Sequence, residues 1–64
     1  MTREEFWKEF GRHYDRIDRS LRWIAKQTGL SFSCVCRYKR REGAPPKAFR
    51  AMTIALLDKI GRGA

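Results

Sequence analysis

The chain has 64 residues, enough for one domain (1–64) and too few for the deep cleft that most enzymes enclose. Lys plus Arg number 15 against 7 Asp plus Glu, a formal net charge of +8. That excess selects for a polyanionic partner, with nucleic acid ahead of an acidic membrane surface or an acidic protein.

No strand-like alternation and no internal repeat is present, and four helical segments can be read in chain order. The first spans about Thr2–Arg16. Thr2 followed by Glu5 is a capping-box pattern. Phe6, Phe10, His13 and Ile17 recur at helical spacing, with Trp7 and Tyr14 on one flank and Gly11 off the stripe. The charged start Met1–Glu5, with no apolar run behind it, does not read as a signal peptide.

The second segment runs from about Ser20 to Thr28, with Ser20 or Asp18 as its cap. Leu21, Ile24, Ala25 and Thr28 form its inner face, and Gly29 supplies a left-handed stop. The third begins at Ser31, another capping residue, and runs to about Arg40, with Val35 and Tyr38 inward. Arg41–Pro46 then breaks the chain.

The fourth segment starts with Pro46 at the first helical position and runs to about Ile60, with Gly61 expected to end it. Phe49, Met52, Leu56 and Ile60 make one stripe, and Ile54 and Leu57 lie beside or beyond it. The segment is apolar over more of its circumference than a surface helix needs. Its longest apolar run, Ala51–Leu57, is too short and interrupted to span a bilayer.

The charge is unevenly distributed. Residues 1–18 carry four basic and five acidic side chains, while residues 19–64 carry eleven basic and two acidic, a net of +9. The positive field therefore belongs to the part of the chain that contains the second and third helices.

Cys34 and Cys36, two apart on a helix, point to different sides and cannot bridge each other. They read as free thiols of a reducing cytoplasm. With the lone, distant His13 they make a poor zinc set, so no metal and no cofactor is expected. Cys36 reads as a packing or surface residue, with redox sensing as the alternative. His13 lies within an apolar stripe and has no carboxylate or nucleophile placed to work with it, so it reads as a core or interface residue. No catalytic residue is assigned, and the chain is not read as an enzyme.

Residues 20–40 hold the informative constellation. Ala25 is small where two helices would cross, Gly29 makes the turn, and Leu30 plugs the corner. Ile24, Val35 and Tyr38 hold the second helix of the pair against the first. The features Ile24-Ala25, Thr28-Gly29-Leu30-Ser31, Val35 and Tyr38 resemble the helix-turn-helix of the Cro and lambda-repressor class of phage and bacterial regulators. The compact size, with a Pro-rich loop before a last apolar helix, is also similar to anti-CRISPR-associated repressors. The resemblance implies an all-α, lambda-repressor-like domain of four to five helices around a central helix-turn-helix. It implies a cytoplasmic, nucleoid-associated protein of a bacterium or phage. It also implies a homodimeric repressor or autorepressor on a pseudo-palindromic DNA operator, with half-sites about 34 Å apart.

On that reading Phe32, Ser33, Cys36, Arg37 and Arg40 face the major groove. Arg37 is the best base reader, because a guanidinium pairs bidentately with guanine O6 and N7. Phe32, unusual at a position often polar in the family, suits a thymine methyl. Arg22, Ser31, Lys39, Arg41, Lys47 and Arg50 are the candidate phosphate contacts. The basic run 37–41 would otherwise be a solvated face. Trp7, Trp23, Met52, Ile54 and Leu57 are the candidate dimer contacts, with core packing the plain alternative. Two rival functions remain open: an excisionase-like or architectural factor that bends DNA, and a helix-turn-helix module whose ligand is a protein.

Overall fold

The computed structural model describes residues 1–63. Four helices are present, α1 (Arg3–Ile17), α2 (Leu21–Thr28), α3 (Phe32–Lys39) and α4 (Lys47–Arg62), with no strand among the described residues. The fold is all-α. Among the described residues no helix is long and apolar enough to cross a membrane.

Local chemistry sets most of the boundaries. Thr2 and Glu5 close a reciprocal capping box, with Thr2 N donating to Glu5 Oε1 at 2.8 Å and Glu5 N to Thr2 Oγ1 at 3.1 Å. The bond from Thr2 N, with the Thr2 hydroxyl adding to it, holds the Glu5 carboxyl below its ordinary pKa. Ser20 Oγ accepts from Trp23 N at 3.1 Å and starts α2. Ser20 rather than Asp18 is the cap; Asp18 instead ends α1 in a left-handed conformation at φ 55°. Gly29, at φ 78°, ends α2, as the absence of a side chain at that position permits. Pro46 stands one residue before α4, which begins at Lys47, rather than at the first helical position read from sequence, and its side chain makes no capping bond.

The core is built mainly by α1 and α4. Phe6, Phe10, His13 and Ile17 face inward as their spacing predicts. Ile24 and Ala25 of α2, Val35 of α3, and Thr53, Ile54 and Leu57 of α4 complete it. Tyr38 sets its ring edge-on against Phe6, with centroids 5.3 Å apart, and Phe10, at 6.1 Å. Helix α1 packs on α4 and α3, and α2 packs on α3 and α4. Helices α3 and α4 do not pack on each other.

Two expectations for α4 are corrected. Its buried face is Thr53, Ile54 and Leu57, whereas Phe49 and Met52 are 51% and 57% exposed. Helix α1 docks on the flank that carries Ile54 and Leu57, so the stripe read from Phe49 through Met52 turns outward at its start. Gly61 does not end the helix, which continues to Arg62. A Cβ at Gly61 would lie 3.1 Å from Ile17 Cγ1, so glycine is needed there for close approach of α1 and α4.

Candidate functional site

Helices α2 and α3 have eight residues each, and only Gly29, Leu30 and Ser31 separate them. The connection is fixed by several short bonds. Gly29 N donates to Ala25 O at 2.9 Å, Thr28 Oγ1 to Ile24 O at 2.8 Å, and Leu30 N to Thr28 Oγ1 at 3.3 Å. Ser31 Oγ then accepts from Cys34 N at 3.1 Å and caps α3. Beneath α3, Val35 is fully buried and Tyr38 packs on the two phenylalanines of α1. Burial raises the Tyr38 phenol pKa, with Cys34 adding to the effect. The angle between the helices is thus held from below and at the corner.

That anchoring leaves one side of α3 outward. Phe32, Ser33, Arg37 and Arg40 are exposed, and Cys36 is half-buried. At 100° per residue, Ser33, Cys36, Arg37 and Arg40 share a single face opposite Val35 and Tyr38. Phe32 stands at its edge, 40% exposed, beneath the Arg22 guanidinium, whose Cζ is 4.4 Å from the ring centroid. Arg40 Nε lies 3.4 Å from Cys36 O and 3.7 Å from a Glu42 carboxylate oxygen. Glu42 is the only acidic residue between Arg19 and Leu57, so basic side chains dominate the charge of the segment that carries this face.

The basic residues read as phosphate contacts differ in their setting. Arg22, Lys39, Arg41 and Lys47 are exposed or nearly so. Lys39 Nζ rests 5.1 Å from the Tyr14 ring centroid, and Arg41 holds a positive φ of 60°. Arg50 is half-buried. Its Nε donates to Pro45 O at 2.9 Å and its Nη1 to Met1 O at 3.1 Å, which ties the start of α4 to the start of the chain.

The residues read as dimer contacts separate into three groups. Leu57 is fully buried and Ile54 is 9% exposed, both inside the single chain, which corrects their assignment to an interface. Their side chains already meet the rest of the core, so a second copy cannot reach them. Trp7 and Trp23 flank the core, with Trp7 Nε1 donating to Gly43 O at 2.9 Å and Arg19 lying 5.1 Å from the Trp23 ring centroid. Met52 is left open, and Phe49, not assigned to the interface from sequence, stands exposed on the same helix. Ala48, Ala51 and Ala55 are exposed there too.

The Arg16–Asp58 contact joins α1 to α4 and had no sequence signal, whereas Arg62 is an i, i+4 neighbour of Asp58 on α4. Arg16 Nη2 meets Asp58 Oδ1 at 3.0 Å, and Arg62 Nη2 meets Asp58 Oδ2 at 3.0 Å. These arginines, the Arg16 hydrogen bond first, hold the Asp58 carboxyl below its ordinary pKa. His13 is buried at 4% exposure, with Arg16 Nη2 at 3.1 Å from Nδ1. Among the described residues no three His, Cys, Asp or Glu side chains gather as a metal site would require.

No protein-family model, no curated protein and no solved structure matches the chain.

Proposed function

We propose that the chain is a sequence-specific, double-stranded DNA-binding transcriptional regulator, acting as a homodimeric repressor by occupying its operator. Helices α2 and α3 serve as the helix-turn-helix of a lambda-repressor-like domain, and α3 is the helix that enters the major groove. One observation carries this reading. The face of α3 bearing Ser33, Cys36, Arg37 and Arg40 turns away from the core, while Val35 and Tyr38 on its other side hold it in place. A short helix so anchored presents base-reading side chains from a rigid support, and the +9 of residues 19–64 supplies phosphate attraction.

Arg37 reads a guanine, and Ser33, Cys36, Arg40 and Phe32 contact neighbouring base edges. Arg22, Ser31, Lys39, Arg41 and Lys47 approach phosphates. The second copy docks on the outer face of α4 through Met52 and Phe49. Because α3 and α4 do not pack on each other, such a dimer leaves both α3 faces free.

Selection of bound duplexes from a random pool tests the reading. A palindromic consensus with half-sites about one helical turn apart supports it. Indifference to every duplex at low salt defeats it. Arg37→Ala is expected to relax preference at one base pair per half-site, a loss of about 1–3 kcal/mol of discrimination. Lys47→Ala is expected to weaken all duplexes alike and to reduce the slope of log K against log salt by about 0.9 per subunit, roughly 1.8 for the dimer. A sequence-selective effect of Lys47→Ala would reverse the two assigned roles.

A further inference from the structure

We propose that Gly43 and Trp7 form a seat that positions the Arg37 guanidinium, so that Gly43 sets base specificity without touching DNA. The proposal rests on the DNA-binding reading above for its functional consequence, but the seat itself stands on geometry.

Three independent contacts build it. At the end of α3, Glu42 N donates to Arg37 O at 2.9 Å and Arg41 N to Tyr38 O at 3.2 Å, which turns the chain back over the last turn of the helix. Trp7 Nε1, from α1, then donates to Gly43 O at 2.9 Å and fixes the returning segment from below. Arg37 lies against the resulting surface. A Cβ built on Gly43 would stand 3.2 Å from Arg37 Nη2, 3.4 Å from Nε and 3.5 Å from Cζ. The flat end of the guanidinium therefore covers the Cα of Gly43.

Backbone conformation does not call for glycine at this position. Among the described glycines only Gly29 has a positive φ, so residue 43 lies outside the left-handed region that favours glycine. A glycine in such a place leaves the unfolded chain more freedom and stabilises nothing by itself. What glycine provides is room for the guanidinium. An arginine restrained in this way loses less rotamer freedom on meeting a base than a free one does. Any side chain at residue 43 pushes first against the far end of Arg37, which is flexible, so the substitution moves the guanidinium rather than the fold.

The test uses the full chain and the variants Gly43→Ala and Trp7→Phe, the latter keeping an aromatic ring without the indole N–H. In the free wild-type protein, NMR is expected to show a cross-peak between the Arg37 Nε proton and the Gly43 Hα protons. In Gly43→Ala the thermal midpoint is expected to hold or rise. Preference at the Arg37 base pair is expected to fall about tenfold, with binding to random duplexes unchanged. Trp7→Phe is expected to loosen the same preference while leaving the Lys47 salt contribution intact. Absence of the cross-peak, or a Gly43→Ala variant that selects the same consensus as tightly as the wild type, overturns the seat. Should wild type bind no duplex, the DNA reading falls separately, and the cross-peak alone decides whether the seat exists.

Discussion

Arg41 occupies a conformation that most side chains avoid. Its φ is 60°, and the bonds from Arg41 N to Tyr38 O and Glu42 N to Arg37 O are those of a helix terminus that usually carries glycine. An L-residue in the left-handed region costs about 1 kcal/mol or more. Arg41→Gly is therefore expected to raise the thermal midpoint by roughly 4–8 °C. The same change removes a cation proposed to meet phosphate, so duplex affinity is expected to fall on all sequences alike. A variant that is more stable and binds DNA as before would show that Arg41 makes no such contact. His13 is the second residue with a measurable consequence. Guanidinium nitrogens face both of its ring nitrogens, Arg16 Nη2 at 3.1 Å from Nδ1 and Arg12 Nη2 at 3.4 Å from Nε2. Burial first, then Arg12 and Arg16, hold its pKa below 6.5, against the opposing pull of Asp58 and Glu9. The unfolded chain thus binds a proton at a pH where the folded chain does not. Stability is full above about pH 6.5 and declines as the pH falls below it toward the folded-state pKa. Urea midpoints at about pH 7.5 and 5.5 are expected to show this drop, and His13→Gln is expected to remove most of it. An equal drop in the variant would assign the dependence elsewhere.

At the scale of the element, α2 and α3 are too short to persist without support. Neither has an acidic residue in its first turn, so the hydroxyl caps Ser20 and Ser31 carry the start of each helix. Ser31→Ala is expected to cost about 1 kcal/mol in denaturant unfolding. Ser31→Asp keeps an acceptor for Cys34 N and is expected to retain wild-type stability. Its added charge, however, sits where the amino end of α3 is proposed to meet a phosphate, and duplex affinity is expected to fall. Wild-type binding by Ser31→Asp would place that helix end away from the DNA backbone. The pair of variants separates the local role of the cap from its role in binding, which a single truncation leaves merged.

Over the whole molecule, four helices enclose a core within extents of 27 × 20 × 18 Å. A domain of this size buries only about 60% of its unfolded surface, and the proposed association with a second copy would add to what the monomer lacks. The outer face of α4 is suited to that, because Phe49 and Met52 stand exposed among alanines that let another backbone approach. Met52→Glu is expected to weaken self-association at least about tenfold, since a buried Met side chain contributes about 1.5–3 kcal/mol. Sedimentation across a concentration series checks this. An unchanged monomer–dimer equilibrium would put the partner copy on a different face.

The sequence by itself determined the helices and most of their ends, because caps and turns act over three or four residues. Thr2 with Glu5, Ser20, Gly29 and Ser31 all do locally what their chemistry predicts. The stripe Phe6, Phe10, His13 and Ile17 was equally legible, since α1 is apolar on one side only and so has one face to bury. For the candidate site, sequence placed Phe32, Ser33, Cys36, Arg37 and Arg40 on one side of α3, opposite Val35 and Tyr38; the last four share that face, and Phe32 stands at its edge under Arg22. Helix α4 was ambiguous for the opposite reason. With apolar residues most of the way round, its buried side depends on where α1 and α2 dock, and only packing selected Ile54 and Leu57 over Phe49 and Met52. Tertiary structure also decided the contacts that join distant parts of the chain: Trp7 with Gly43, Arg16 with Asp58, and Arg50 with Met1. Their partners lie 36, 42 and 49 residues apart, so no periodicity or local motif brings them together. They form only once the helices have closed around the core.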